Sequence, residues 1–117
     1  MRITKPQKIK VLFSSGTPCF ARFMMNGCGA CEESQDDWDQ LGRSSLPIFL
    51  PEIESALSHH SPVPVTGYPT YVFYDGKKAA PVNIGRDVAS MTNFLKRKLK
   101  TFKKTKRRQL KNRSKKR

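Results

Sequence analysis

The residues of this sequence best suited to chemistry are two cysteines separated by two residues, Cys28-Gly29-Ala30-Cys31. They stand where an apolar run ends at Asn26-Gly27 and a stretch without Gly or Pro begins, which predicts a strand-to-helix junction. A thiol at a helix N-terminus is activated by free backbone N–H groups and the helix dipole, and a second thiol one turn later can close a disulfide. The spacing therefore predicts a redox site, with Cys28 as nucleophile and Cys31 as resolving thiol.

The same Cys-x-x-Cys spacing also forms half of many zinc sites. The further ligands available here are Cys19, His59 and His60, and two adjacent histidines do not have the usual ligand spacing. We therefore expect no metal and no other cofactor. The two histidines are predicted to be exposed loop residues, and Cys19 a small, half-buried residue after a turn.

The segments that must position the cysteines predict one α/β domain, since 117 residues leave little room for a second core. Strands are expected over residues 9–13, 20–25, 46–53, 70–74 and 80–84. Helices are expected over residues 31–41 and 87–99, and in the second of these apolar residues recur every three or four positions. A short helical turn is expected to end at Leu57. Asp75-Gly76 predicts a hairpin turn, whereas residues 58–67 are expected to form a loop.

Positive charge is concentrated at the C-terminus: residues 96–117 hold 14 of the 23 Lys and Arg, so nine basic residues balance nine acidic ones in the remainder. We divide the chain into a domain, residues 1–99, and a basic tail, residues 100–117, too poor in apolar residues to fold alone. Such a tail is expected to bind a polyanion, and nucleic acid, an acidic protein surface or anionic lipid would each serve. The residues assigned to this binding are Lys103, Lys104, Lys106, Arg107, Arg108, Lys111 and Arg113.

The order of these features resembles the thioredoxin family over about residues 9–99. The matching motifs are the cysteine pair, Thr66-Gly67-Tyr68-Pro69-Thr70 opening a strand, Asp75-Gly76, and Asn83-Ile84-Gly85 before the last helix. The resemblance implies a central mixed sheet flanked by helices. It also implies a cis proline at Pro69 beside the cysteines, with Gly67, Tyr68 and Pro69 docking the extended chain of a substrate.

Several positions depart from that family's pattern. Arg22 stands six residues before the first cysteine, where a buried acid often takes the resolving thiol's proton, and arginine cannot act as a base. Gly27 replaces a tryptophan and Asp36 a helix proline. Glu32 and Glu33 favour the helix dipole but oppose a neighbouring thiolate. Residues 14–18 also leave no room for a helix before the central strand, so we expect a trimmed thioredoxin fold.

Three functions are compatible with this sequence. The first is a thiol–disulfide oxidoreductase acting on protein thiols and disulfides. The second is a structural or adaptor protein, a minor component of a virus particle, because small neutral thioredoxin-like bodies with basic ends resemble proteins of large double-stranded DNA viruses. The third combines redox chemistry with attachment to nucleic acid. An odd cysteine count and the lack of a signal-peptide core favour an intracellular location, and the resemblance to viral proteins implies a virion as the alternative location. No segment is apolar enough to span a membrane.

Overall fold

The computed structural model describes the backbone of residues 2–115 and the side chains of residues 2–101. Within that part, five strands form one sheet, and α-helices and a 3₁₀ helix cover both of its faces. The strands are β1 (Arg2–Ile3), β2 (Cys19–Met24), β3 (Glu52–Glu54), β4 (Thr70–Tyr74) and β5 (Ala79–Val82). The helices are α1 (Pro6–Leu12), α2 (Gly29–Gly42) and α3 (Val88–Lys115), with the 3₁₀ helix at Ser55–His60.

The sheet has the strand order β1-β3-β2-β4-β5 and is mixed. β1 and β2 both run parallel to β3, whereas β4 runs antiparallel to β2 and β5 antiparallel to β4. The parallel pair β2 and β3 needs a crossover connection, and α2 supplies it. The predicted central mixed sheet flanked by helices is confirmed.

Strand β2 lies in the middle of the sheet, and all six of its residues are buried. Because successive side chains of a strand point to opposite faces, Phe20 packs with Trp38 of α2 and Leu95 of α3, while Phe23 packs with Ile9 of α1. The two cores fix the position of β2. The C-terminal end of β2 therefore delivers the chain to the start of α2, where the cysteine pair lies.

The predicted strand over residues 9–13 is wrong, because most of this segment belongs to helix α1. Pro6 occupies the start of the helix, where its fixed φ suits the first turn. Ile9 is fully buried and Leu12 packs on the same core, while Val11 is 66% exposed. Buried positions three residues apart are helical spacing, which the apolar run concealed. A helix of seven residues thus precedes the central strand, contrary to prediction.

The predicted strand over residues 46–53 is much shorter than expected. Regular pairing is confined to Glu52–Glu54, preceded by an isolated bridge between Phe49 and Cys19. Pro47 and Pro51 have no N–H to donate to a ladder, so this segment pairs through its carbonyls. The N–H of Phe20 donates to the Phe49 oxygen at 3.0 Å.

The hairpin at Asp75-Gly76 is confirmed between β4 and β5. An Asp75 carboxylate oxygen accepts the N–H groups of Lys77 and Lys78 at 2.7 and 2.8 Å. Gly76 has φ +101°, and a Cβ there would lie 2.7 Å from the Gly16 carbonyl oxygen. Glycine is required at that position both by its dihedral and by the close approach of the neighbouring loop.

Helix α3 begins at Val88, one residue after the predicted start, and Asp87 caps it by accepting the Ser90 N–H at 2.9 Å. Met91 and Leu95 are fully buried, as the helical spacing predicts. The helix continues past Leu99, its predicted end, to Lys115. Within the described residues, no helix is long and apolar enough to cross a membrane.

Candidate active site

Cys28 is the N-cap residue of helix α2. Gly27, with φ +78°, turns the chain between β2 and the helix, and Cys28 itself is extended. Its Sγ accepts a hydrogen bond from the Cys31 N–H at 3.2 Å, which satisfies one of the donors that a helix N-terminus leaves free. The predicted placement of the pair at the start of a helix is therefore the observed one.

The Cys28 thiol is half-buried and tuned towards the thiolate. A hydrogen bond with the Cys31 thiol lowers the pKa of Cys28, against the effect of burial. The backbone N–H groups of Cys31 and Ala30 and the charge of Arg22 lower this pKa further. A thiol that is both accessible and readily ionised is suited to nucleophilic attack.

The Cys31 thiol has the opposite character, since it is only 2% exposed. Burial raises the pKa of Cys31, and its hydrogen bond to Cys28 raises it further, because this bond favours the protonated form of Cys31. The two thiols therefore ionise in a definite order. Cys28 ionises first and can meet a partner from outside, while Cys31 remains protonated behind it.

The loop before β4 brings Tyr68 and Pro69 to the cysteines. The Tyr68–Pro69 bond is cis, as the family resemblance implied, and the Cys28 thiol donates to the Tyr68 carbonyl oxygen at 3.5 Å. Pro69 is buried and Gly67 is exposed, and the Thr70 hydroxyl donates to the Gly67 oxygen at 2.5 Å. The three residues predicted to dock substrate thus lie in the loop that contacts Cys28.

An open groove of about 470 Å³ begins at this loop. It runs along the start of β4 and the end of β5 together with the segments that precede β4 and follow β5, and its lining is mixed apolar and polar. Its residues include Pro64, Thr66, Pro69, Tyr71, Val82 and Ile84. The groove shares Pro69 with the loop that contacts Cys28, and it has room for an extended peptide segment.

Arg22, noted in the sequence only as a departure, is the centre of a buried polar cluster below the thiols. Its side chain is fully buried and forms an ion pair with Glu52 of β3, N···O 2.6 Å. Gln35 and Ser34 complete the cluster from α2. Sequence reasoning missed these three partners. The available signal was an arginine within the apolar run of β2, because a buried charge requires a partner of opposite sign.

The side chains considered as extra zinc ligands are not brought together with the cysteine pair. Cys19 lies at the opposite end of β2 from the pair, and burial raises its pKa to about 12. It is fully buried rather than half-buried as predicted. His59 and His60 belong to the 3₁₀ helix rather than to a loop, with ring centroids 4.0 Å apart. Among the residues that the structure describes, no three potential ligands are grouped to hold a metal.

The acidic residues that follow the cysteines point outward. Glu32, Glu33 and Asp36 are exposed on α2. Their charges therefore face solvent, which weakens their effect on the thiols. The tail residues assigned to polyanion binding, Lys103 to Arg113, lie outside the described side chains, so that assignment stays a prediction.

Comparisons with known proteins agree with this geometry. No family model matches the chain. It is similar to protein disulfide-isomerase erp38 of Neurospora crassa, with 29% identity over an alignment 93 positions long that covers 73% of this chain and 25% of that protein. The chain thus spans about a quarter of the length of this relative.

Solved structures with the same architecture include the Trx4 domain of ERdj5, with a TM-score of 0.72, 17% identity and coverage of 86% of this chain and 96% of that one. The thioredoxin of Malassezia sympodialis has a TM-score of 0.68 and 14% identity, covering 82% of this chain and 87% of that one. The chain has a thioredoxin-like fold that carries a Cys-x-x-Cys pair at Cys28 and Cys31.

Proposed function

We propose that this domain is a protein thiol–disulfide oxidoreductase in which Cys28 attacks and Cys31 resolves. The observation that carries the proposal is the contrast between the two thiols. Cys28 is half-exposed, caps α2 and has a lowered pKa, whereas Cys31 is buried with a raised pKa. The similarity to a disulfide isomerase supports the same chemistry.

In the reducing direction, the Cys28 thiolate attacks one sulfur of a substrate disulfide. A mixed disulfide forms, and the other substrate sulfur leaves as a thiolate. Cys31 then loses its proton and attacks the Cys28 sulfur, so that the bond between Cys28 and the substrate breaks and the second substrate thiolate leaves. The substrate gains two electrons and the cysteine pair becomes a disulfide. A dithiol of another protein would reduce the pair again.

Substrate docking is assigned to Gly67, Tyr68 and Pro69. The Tyr68 carbonyl already faces the Cys28 sulfur at 3.5 Å, so a peptide lying along this loop would bring its own sulfur within reach. The groove that begins at Pro69 provides a surface along which an extended peptide segment can bind. The partners implied are proteins with accessible disulfides or thiols, recognised mainly through their backbone.

Reduction of insulin by dithiothreitol tests the redox function, followed as the turbidity of the released B chain. The full-length protein should accelerate the reaction, and Cys28→Ser should abolish that acceleration. Cys19→Ala is the matched control, since it removes a thiol remote from the site and should retain activity. Equal rates for the wild type and Cys28→Ser would overturn the proposal.

A second function, binding of a polyanion by the C-terminal segment, is supported by the charge distribution. Residues 96–117 hold 14 Lys and Arg, while the rest of the chain carries as many acidic as basic residues. Neutralising phosphates releases condensed counterions, so affinity for duplex DNA should fall with salt at a slope of about 0.9 per phosphate contacted.

Fluorescence anisotropy with a labelled DNA duplex at several salt concentrations tests this assignment. The test variant changes to glutamine the residues Lys103, Lys104, Lys106, Arg107, Arg108, Lys111 and Arg113. It should lose most of the binding, whereas Cys28→Ser should bind like the wild type. Binding that is insensitive to salt, or that survives the glutamine substitutions, would contradict the assignment.

The alternative of a structural or adaptor role, such as a minor component of a virus particle, predicts a different combination of results. Such a protein would bind polyanions through the same tail and would not reduce insulin. A protein that both reduces insulin and binds DNA would instead be a redox enzyme attached to nucleic acid. The departures from the family pattern at Gly27, Glu32 and Glu33 favour this alternative, but both glutamates face solvent and act only weakly on the thiols.

A further inference from the structure

The Arg22 side chain occupies a position fixed by the sheet itself. On β2 it points to the same face as Phe20, beneath α2. Its register partners are Glu52 on parallel β3 and Tyr71 on antiparallel β4. Both partners contact it: Nη1 donates to the Glu52 carboxylate at 2.6 Å, and Nε donates to the Tyr71 hydroxyl at 3.4 Å.

The remaining donors of Arg22 reach up to the first turns of α2. Nη2 donates to the Cys31 carbonyl oxygen at 2.7 Å and to the Ser34 hydroxyl at 2.9 Å. Nη1 also donates to the Gln35 side-chain oxygen at 3.0 Å. The guanidinium therefore links the first turn of α2 to the sheet, because it binds the backbone carbonyl of the resolving cysteine in that turn.

Both charges of the ion pair are held fixed. Arginine does not deprotonate in proteins. Burial acts to raise the pKa of Glu52, but hydrogen bonds from Gln35, Arg22 and Arg2 outweigh burial and leave this pKa below its ordinary value. Neither member is thus suited to accept the proton of Cys31 at neutral pH.

The two charges are not symmetric towards the thiols. The cation donates directly to the carbonyl of Cys31, whereas the carboxylate belongs to β3, the next strand of the sheet. Other ionisable groups lie around the cluster. They are Cys28, Cys31, Glu32 and Asp39 at α2, Arg2 on β1, Glu54 on β3 and Tyr71 on β4.

We propose that Arg22 is a positioning residue for the resolving step, holding Cys31 by its carbonyl and placing a permanent buried cation beside the two sulfurs. The cation favours the thiolate that must form at Cys31, so that no proton-accepting side chain is needed. This inference rests on the proposed oxidoreductase function for its biological meaning. It is also supported by the direction of the Arg22 effect, which lowers the pKa of both thiols.

The proton of Cys31 then has a direct route out. Cys31, Glu32 and Gln35 line an open cavity of about 220 Å³ at the start of α2, large enough to hold water. When the Cys31 sulfur attacks the Cys28 sulfur of the mixed disulfide, its proton passes to that water or to the departing substrate thiolate. The electron pair of the broken bond leaves with the substrate sulfur.

The test measures the pKa of each thiol in the reduced full-length protein, from the pH dependence of iodoacetamide alkylation followed by peptide mass spectrometry. Arg22→Met keeps an unbranched side chain of similar bulk near the backbone and removes the guanidinium with its charge. Below the thiol pKa values it should slow alkylation of Cys28 and Cys31 by about three- to tenfold, since one pKa unit is a tenfold change in thiolate. Arg22→Lys should restore most of the rate.

Variants of the partners separate charge from structure. Glu52→Gln should change the thiol pKa values in the opposite direction, because it leaves the cation uncompensated. Ser34→Ala removes a contact of Arg22 without changing charge and should leave both thiol pKa values unchanged. A purely structural role of Arg22 would not produce shifts of opposite sign.

The exchanged pair Arg22→Glu with Glu52→Arg keeps an ion pair in the core and gives a readout even where a single variant does not fold. It should raise both thiol pKa values. Unchanged thiol pKa values in Arg22→Met, or in the exchanged pair, would overturn the proposal. Because alkylation needs no substrate, a protein that fails to reduce insulin yet shows these shifts would refute the oxidoreductase function and retain only the effect of Arg22 on the two thiols.

Discussion

Removing the carboxylate of the buried ion pair should destabilise the protein more than removing the cation. Among the described residues, Arg22 has Glu52 as its one carboxylate partner, at 2.6 Å. Glu52 has a second cation, Arg2, at 3.2 Å, on a side chain that is 45% exposed. Glu52→Gln therefore leaves a fully buried charge unpaired, whereas Arg22→Met leaves a carboxylate that still has a partner.

The magnitudes follow from this difference. Breaking a buried ion pair so that one charge remains uncompensated costs about 3–5 kcal/mol. Arg22→Met removes the ion pair with Glu52 and the hydrogen bonds to neutral groups, but it leaves the carboxylate paired with Arg2 and retains most of the buried volume, so its cost should be about 1–3 kcal/mol. Since domains of this size are stable by about 5–15 kcal/mol, Glu52→Gln should lower the unfolding midpoint markedly.

Urea unfolding followed by circular dichroism, with linear extrapolation to water, measures both costs. The slope with urea should be the same in both variants, which would show that the difference lies in the native state. Arg2→Ala combined with Arg22→Met removes both cations from Glu52 and should cost more than Arg22→Met alone. An equal or smaller loss for Glu52→Gln than for Arg22→Met would refute the reasoning.

Three further outcomes are expected. Gly76→Ala should lower the free energy of unfolding by about 1–3 kcal/mol because of its φ of +101° and the carbonyl oxygen 2.7 Å from the new methyl group; Gly42→Ala, in open space on α2, should be neutral or stabilising. Iodoacetamide should modify Cys28 in the native reduced protein and Cys19 only after unfolding, since burial raises the pKa of Cys19 to about 12; early modification of Cys19, detected by mass spectrometry, would contradict its burial. Burial acts to raise the pKa of Glu52, but this pKa lies below the ordinary 4.5. The contribution of Glu52 to stability is therefore complete above pH 4.5 and is lost as the pH falls through the lower folded pKa. Urea midpoints should consequently fall less on acidification in Glu52→Gln than in the wild type.

Local sequence signals were sufficient for most of the site. The apolar run ending at Gly27 predicts β2, and the absence of Gly and Pro after Cys31 predicts α2. Asp75-Gly76 predicts the hairpin because its turn chemistry is specific. Each of these signals is contained within a few residues, and so is the cysteine spacing itself.

Signals that depend on tertiary context were missed. In residues 9–13, adjacent apolar residues indicate a strand and their spacing indicates a helix, and only packing of Ile9 against the sheet decides between them. The partner of Arg22 is 30 residues away on a strand whose register no local pattern fixes. The proline-flanked segment before Glu52 further obscured where that strand begins.

The sequence separations within the polar cluster bear on how the domain folds. Arg22 and Glu52 are 30 residues apart, and Arg2 and Glu52 are 50 apart, so their contacts form only after large loops have closed and three strands have aligned. We expect this cluster to be absent from the folding transition state. Its loss should then accelerate unfolding rather than slow refolding, which makes the buried pair a determinant of the lifetime of the native state.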